Sequence, residues 1–257
     1  MVLLTRKVRL MVPTGSGADA PSLPFEVCVT CKGECGERTG YLVDIKSIDT
    51  VVRAHVAPML ASIVGEGSRV LPRHAERVVA SLRGVIDAEV HSITIGSEPL
   101  TKLEFAAMNT KRAVIRATIE FAASHRLHSP SLSDEENRRL FGKCNNPAGH
   151  GHNYLVEAAV EVSTNAEADF RPDHLREIIM RTVSDRFDHK YLNVDCADFD
   201  VSRGGVTPSV ENIARVCHDL LERPVREASG GHVASDPRLL RVTVWETERT
   251  SATYPAS

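Results

Sequence analysis

The sequence predicts an α+β protein built from two tandem ββααββ units, each an antiparallel sheet with its helices on one face. Three observations predict it. The same order of alternating and helically spaced apolar segments occurs twice along 257 residues. The closing hairpins of the two copies align without a gap, Ile93-Thr94-Ile95 on Val242-Thr243-Val244 and Phe105 on Tyr254. Each four-stranded sheet also leaves open edges, which assembly of several copies into an oligomeric β-barrel removes. The boundary falls near Met108–Lys111, giving units 1–110 and 111–257.

In the first unit, Val8–Val12 and Phe25–Thr30 read as strands joined by the Pro/Gly/Ser-rich stretch 13–24. Ile48–Val64 reads as a helix, with Val51, Val52, Val56, Met59, Leu60 and Ile63 at helical spacing. Pro58 lies inside it and is expected to kink it or break it in two. A second helix follows over His74–Ile86, and Val90–Ile95 and Lys102–Met108 close the unit as strands. The second unit repeats the order. Ala113–Ala123 and Tyr154–Val162 are strands separated by turn chemistry at Ser129-Pro130 and Asn145–Gly151; Asp173–Phe187 and Val210–Leu221 are helices; Leu240–Glu246 and Thr250–Tyr254 are the last strands.

Composition narrows the function. A 42% hydrophobic and 25% charged chain has material for a sizeable core. A net charge of −3 and 5% aromatics give neither a basic footprint nor stacking platforms for nucleic acid. No apolar run is expected to reach bilayer length, and the start Met1–Arg6 is too short in apolar residues for a signal peptide. A cytoplasmic protein is expected, with Cys28, Cys31, Cys35, Cys144, Cys196 and Cys217 as reduced thiols.

The chemistry gathers around His150-Gly151-His152. In an extended segment the two imidazoles point to the same side, and antiparallel pairing can bring His125, at the end of the preceding strand, beside them. Three imidazoles suit a catalytic zinc site with an open position better than a closed structural one. The bland alternative is three solvated loop histidines. Cys144 lies in a loop rich in turn formers and reads as an acid/base group, with zinc ligation or a plain loop thiol as alternatives. Asp188-His189 follows a helix, where a carboxylate opposes the macrodipole; it reads as an Asp–His pair tuned for proton transfer, with an ordinary post-helix turn as the alternative. Cys28, Cys31 and Cys35 read as strand and loop thiols in preference to a second metal site. Arg126, Lys143 and Lys190 are candidate phosphate contacts.

The runs Phe121–His128, Ser131–Asn137 and Leu140–Tyr154 closely resemble the 6-pyruvoyltetrahydropterin synthase family, and Asp188-His189-Lys190, Pro208–Asn212 and Trp245-Glu246-Thr247 continue the match in order. The resemblance covers the second unit, and the first resembles the same tunnelling-fold unit only in outline. It implies Zn2+ on His125, His150 and His152, proton transfer by Cys144, and a relay through Asp188 and His189 from a neighbouring unit of a homo-oligomer with interface active sites. It further implies that Glu246 anchors a pterin, with Ser209 and Val210 beside the ring. The implied reaction is a lyase step that converts 7,8-dihydroneopterin triphosphate to 6-pyruvoyltetrahydropterin with loss of triphosphate. The related 6-carboxytetrahydropterin synthases of deazapurine (queuosine) biosynthesis are the nearest competitor. Five residues, Asn145 to Gly149, separate Cys144 from His150 and favour the pyruvoyl type. A pterin- or purine-binding oligomer without catalysis is the third reading. The first unit has no His-Gly-His, and Ser97 stands where the alignment puts Glu246; it is expected to be a degenerate structural half.

Overall fold

The computed structural model describes residues 1–15, 17, 19–98, 100–165, 170–228 and 237–255, so residues 16 and 18 of the expected 13–24 connection lie outside the described ones. It is α+β and falls into two compact units, the first centred on Met1–Arg116 with Glu161–Pro172, the second on Ala117–Val160, Asp173 onward and Arg238 onward.

In the first unit β1 (Val2–Pro13) and β2 (Ser22–Gly33) pair antiparallel. Alternation puts Val8, Leu10 and Val12 of β1 and Phe25, Val27, Val29 and Cys31 of β2 in the core. α1 (Ile45–Val51) runs into a π-helical segment, Val52–Val56, and on into α2 (Ala57–Gly65). The break expected at Pro58 is therefore a widened turn. The Ala57 N–H bonds Val52 O, five residues back, which accommodates a proline that lacks an N–H and whose ring would crowd an α-helical carbonyl. The 21 residues Ile45–Gly65 are long and apolar enough to cross a membrane by length and composition, correcting the expectation that no run reaches that length. Here their buried residues, Ile48, Val52, Val56, Leu60 and Ile63, belong to the core, and the helix packs on β1. The next helix is shorter than expected. A 3-10 turn at Pro72–His74 leads into α3 (Ala75–Ala80). The Ser81 hydroxyl then donates to Val78 O at 2.7 Å, and Gly84 takes φ +72° as the chain turns away. β3 (Glu89–Glu98) and β4 (Thr101–Ala106) complete the order β1-β2-β3-β4.

β5 (Asn109–His125) carries the chain into the second unit. α4 (Asp134–Phe141) follows where only turns were expected. Its capping box is legible in retrospect: Ser133 accepts from the Glu136 N–H, and the Glu136 carboxylate accepts from the Ser133 N–H. β6 (His150–Ser163) leads to α5 (Pro172–Ile179), a π segment Met180–Ser184, α6 (Asp185–Phe187), β7 (Lys190–Tyr191) and α7 (Leu192–Asp195). α8 (Val210–Glu227) extends beyond Leu221 through Pro224, its last turn held by the fully buried Val225. β8 (Arg238–Thr247) and β9 (Thr250–Pro255) end an order β5-β6-β8-β9, with β7 parallel on β5.

The two closing hairpins share one register. Ile93 pairs with Phe105 and Glu98 with Thr101; Val242 pairs with Tyr254 and Thr247 with Thr250. Both carry an irregularity just before the turn, as the gapless alignment requires.

Candidate active site

The three imidazoles converge. His125 is the last residue of β5, and His150 and His152 open the neighbouring β6, where extended backbone puts them on the same side. Their candidate ligand atoms all lie within 4.8 Å of one another. His125 Nε2 is 3.1 Å from His150 Nε2, and the His152 ring centroid is 4.8 and 5.2 Å from those of His150 and His125. His125 is fully buried, and its Nδ1 is 2.6 Å from the Pro208 carbonyl, which can only accept. The proton therefore sits on Nδ1 and Nε2 presents a lone pair. Burial pushes the His125 pKa down to about 4, against the opposing pull of the Pro208 carbonyl and with help from His150 and His152. Burial also lowers His152, with Glu246 opposing. Near neutral pH these are uncharged bases.

His152 Nε2 and His150 Nδ1 are buried with no hydrogen-bond partner among the described residues. A buried acceptor without a donor is costly, and a cation among the Nε2 atoms would satisfy His152 and relieve the close His125–His150 approach. The donor set thus fits a metal ion.

Gly149 positions His150. It has φ +72°, and a Cβ there would stand 2.9 Å from Tyr191 Cε2 and 3.1 Å from His125 O. Only glycine fits between β5 and Tyr191 in that left-handed conformation.

Cys144 sits half-buried in the 3-10 turn Gly142–Asn145. Its carbonyl accepts from the Leu127 N–H at 2.8 Å, and Arg126 Nε donates to both the backbone and side-chain oxygens of Asn145 at 3.1 Å. Arg126 is itself held by Asn193, which accepts from its N–H and donates to its carbonyl at 2.8 and 2.9 Å. Arg126 therefore anchors the thiol's loop. Asn137 ties down the preceding turn. Its side chain accepts from the Ser129 N–H and donates to the carbonyls of Ser129, Leu132 and Ser133.

Sequence reasoning missed Tyr154. It is fully buried, stacked on Phe121 at 5.1 Å and edge-on to His125 and His152. Among the described residues its hydroxyl has no hydrogen-bond partner. Burial raises its pKa, with lesser contributions from Glu246 and Cys144 in the same direction. The signal was present: 150, 152 and 154 alternate onto one face of β6.

Glu246 is the extra residue of the β8 bulge, between Trp245 paired with Ser251 and Thr247 paired with Thr250. Bulges re-aim side chains beside sites. Here the carboxylate Oε1 comes within 3.3 Å of His125 Nε2 and 3.7 Å of His152 Nε2. Because burial keeps His125 neutral, this is a contact with an uncharged ring. Ser209 caps α8 through the Asn212 N–H, and Val210 is buried in its first turn. Both follow Pro208, the residue that fixes the His125 tautomer.

What holds Asp188 at its helix end is the edge of β5. Asp188 Oδ1 accepts from the Ala122 N–H at 2.8 Å, and the His189 N–H donates to Ala122 O at 2.6 Å. That amide, then the His189 ring at 2.9 Å from Oδ2, hold the carboxyl below its usual range. His189 adopts φ +58° with its side chain 84% exposed, a strained backbone that the two β5 bonds maintain. Among the described residues no hydrogen bond or ion pair joins this dyad to Cys144 or to the three imidazoles. His189 and His152 nonetheless line one open groove of about 620 Å³, with Gly151 and Tyr191.

Cys28 and Cys31 point to different environments, half-buried and fully buried, and Cys35 is exposed. Among the described residues, His125, His150 and His152 form the group that could hold a metal ion.

Residues 114–257 match the family model described as 6-pyruvoyl tetrahydropterin synthase. The chain is similar to the 6-pyruvoyl tetrahydrobiopterin synthase of Homo sapiens, 36% identical over 145 residues that cover 56% of this chain and 91% of that protein. It is similar to the Drosophila melanogaster protein of the same name, 46% identical over 97 residues, 37% of this chain and 55% of that one. A solved structure of Caenorhabditis elegans 6-pyruvoyl tetrahydropterin synthase aligns with 29% identity over 57% of this chain and 96% of that chain, at a TM-score of 0.48.

Proposed function

From membership of the 6-pyruvoyl tetrahydropterin synthase family, to which this chain belongs, we propose that it is a zinc-dependent lyase. The reaction is conversion of 7,8-dihydroneopterin triphosphate to 6-pyruvoyltetrahydropterin with release of triphosphate. The observation that carries the proposal is the convergence of His125, His150 and His152, with the Glu246 carboxylate 3.3 Å from His125 Nε2. His125, His150 and His152 would hold the zinc ion, which supplies Lewis acidity toward the substrate's side-chain hydroxyls when bound.

The chain's own groups do the rest. Cys144, as thiolate, takes a proton from a side-chain carbon and returns it to the neighbouring one. Glu246 accepts hydrogen bonds from the pterin N–H and amino groups, a charge-assisted pairing that fixes the ring's orientation, with Ser209 and Val210 beside it. Asp188 orients the exposed His189 as a relay. Because that imidazole faces outward, it serves the Cys144 of a neighbouring copy in a homo-oligomer.

The assembly we propose is a β-barrel of tandem tunnelling-fold units, the first (1–110) structural and the second (111–257) catalytic. The shared hairpin register supports duplication, as does a π segment in the helix that follows the second strand of each unit. A cytoplasmic location suits six unpaired thiols.

The test is incubation of the zinc-loaded protein with 7,8-dihydroneopterin triphosphate and identification of the pterin product by mass. The 6-pyruvoyl product with one triphosphate is expected. A 6-carboxy product would move the chain to that branch, and tight pterin binding without turnover would make it a binding oligomer. Cys144→Ala should abolish turnover with zinc retained; loss of zinc would make Cys144 a ligand.

A further inference from the structure

We infer that the first unit carries a second ligand site, a pocket that takes the phosphate chain of a small polyphosphate. The pocket has a volume of about 850 Å³, within the range of small-molecule sites. Lys7 and Arg9 of β1, Arg53 of the π segment and Lys102 of β4 line it, and among the described residues Glu26 is the carboxylate of the lining. Glu26 is taken up by Lys7 at 3.0 Å and lies 3.8 Å from Arg9. Among the described residues Lys102 has no carboxylate partner. Among the described residues, four cations stand around one carboxylate and leave a net positive field, which a concave low-dielectric wall concentrates.

Its place in the fold is the second observation. On the hairpin register common to both units, Ser97, which lines this pocket, stands where Glu246 stands in the second unit. The first unit therefore has a cavity at the counterpart of the carboxylate's position. There a hydroxyl replaces the carboxylate and cations from three elements surround it. Such a change turns the preference from hydrogen-bond donors toward anions. An orthophosphate would leave most of the volume unfilled, whereas a chain of two or three phosphates can touch β1, the helix and β4 together. The inference does not rest on the reaction proposed above.

Calorimetric titration with inorganic tripolyphosphate tests it, alongside mass-spectrometric measurement of Cys28 alkylation, since that thiol lines the pocket. Saturable binding, slowed Cys28 alkylation and weaker affinity at high salt are expected. The double variant Arg53→Gln, Lys102→Gln should bind roughly tenfold or more weakly. Should that variant fail to fold, Lys102→Gln alone and Cys28 protection in the unaltered chain still decide. ATP and 7,8-dihydroneopterin triphosphate as competitors separate a general polyphosphate site from one for the pterin substrate; either result supports the inference. No saturable binding, unprotected Cys28, undiminished binding by the variants, or orthophosphate competing as well as tripolyphosphate would overturn it.

Discussion

Replacing Gly149 by alanine should damage the metal centre more than its one added methyl suggests. Two costs combine. A non-glycine residue at φ +72° loses about 1–2 kcal/mol to left-handed backbone strain. The new Cβ would also stand 2.9 Å from Tyr191 Cε2 and 3.1 Å from the carbonyl oxygen of His125. The ring can give a little; the carbonyl belongs to a strand residue whose side chain is pinned to Pro208. Overpacking of that kind costs about 1–3 kcal/mol, so the total is about 2–5 kcal/mol. Gly204 supplies the control, because it has φ +88° and nothing within 4 Å of its Cβ position. Gly204→Ala should lose only the strain, about 1–2 kcal/mol. Urea unfolding of the metal-free protein, followed by the fluorescence of the single tryptophan, Trp245, reports the second unit directly. Gly149→Ala should also bind metal more weakly, since His150 is the next residue. Equal losses in the two variants, or Gly149→Ala with unchanged metal affinity, would refute the steric argument.

Asn137→Ala removes a side chain that makes four hydrogen bonds to one turn; a loss of about 2–4 kcal/mol in the same unfolding assay is expected. Tyr154→Phe deletes a buried hydroxyl without a partner, so stability should hold within about 1 kcal/mol or rise; a larger loss would reveal a bond to that oxygen. The pH dependence follows from His125, whose folded pKa of about 4 lies below its ordinary 6.5. Between those values the unfolded chain binds the proton and the folded one does not, so stability falls as pH drops from 6.5 toward 4. The full loss is on the order of 3 kcal/mol for the metal-free protein. Denaturation midpoints that stay flat across that window would contradict the burial argument. Asp188, held below its ordinary 3.8, adds its own loss only at still lower pH.

Much of this was legible before any coordinates. Alternation marked Val90–Ile95 and Tyr154–Val162 as strands, because a sheet with one packed face favours apolar residues at every second position. The i, i+2 spacing of His150 and His152 specified a chelating pair once the segment was extended. The failures have physical causes. α4 is almost wholly polar, so apolar periodicity was blind to it, and only Ser133 and Glu136 marked its start. Asp188's partner is an amide 66 residues away in sequence, and such pairing has no local signature. Tyr154 looked like one more core aromatic, and its contact with His125 depends on β5 and β6 pairing.

The most direct test of the account is X-ray absorption at the zinc edge on protein loaded with one equivalent of the metal. Three imidazole nitrogens at about 2.0–2.1 Å and no sulfur are predicted, with the signal lost when His150 and His152 are both replaced by alanine. A sulfur neighbour at about 2.3 Å, fewer than three imidazoles, or a spectrum indifferent to those substitutions would contradict it.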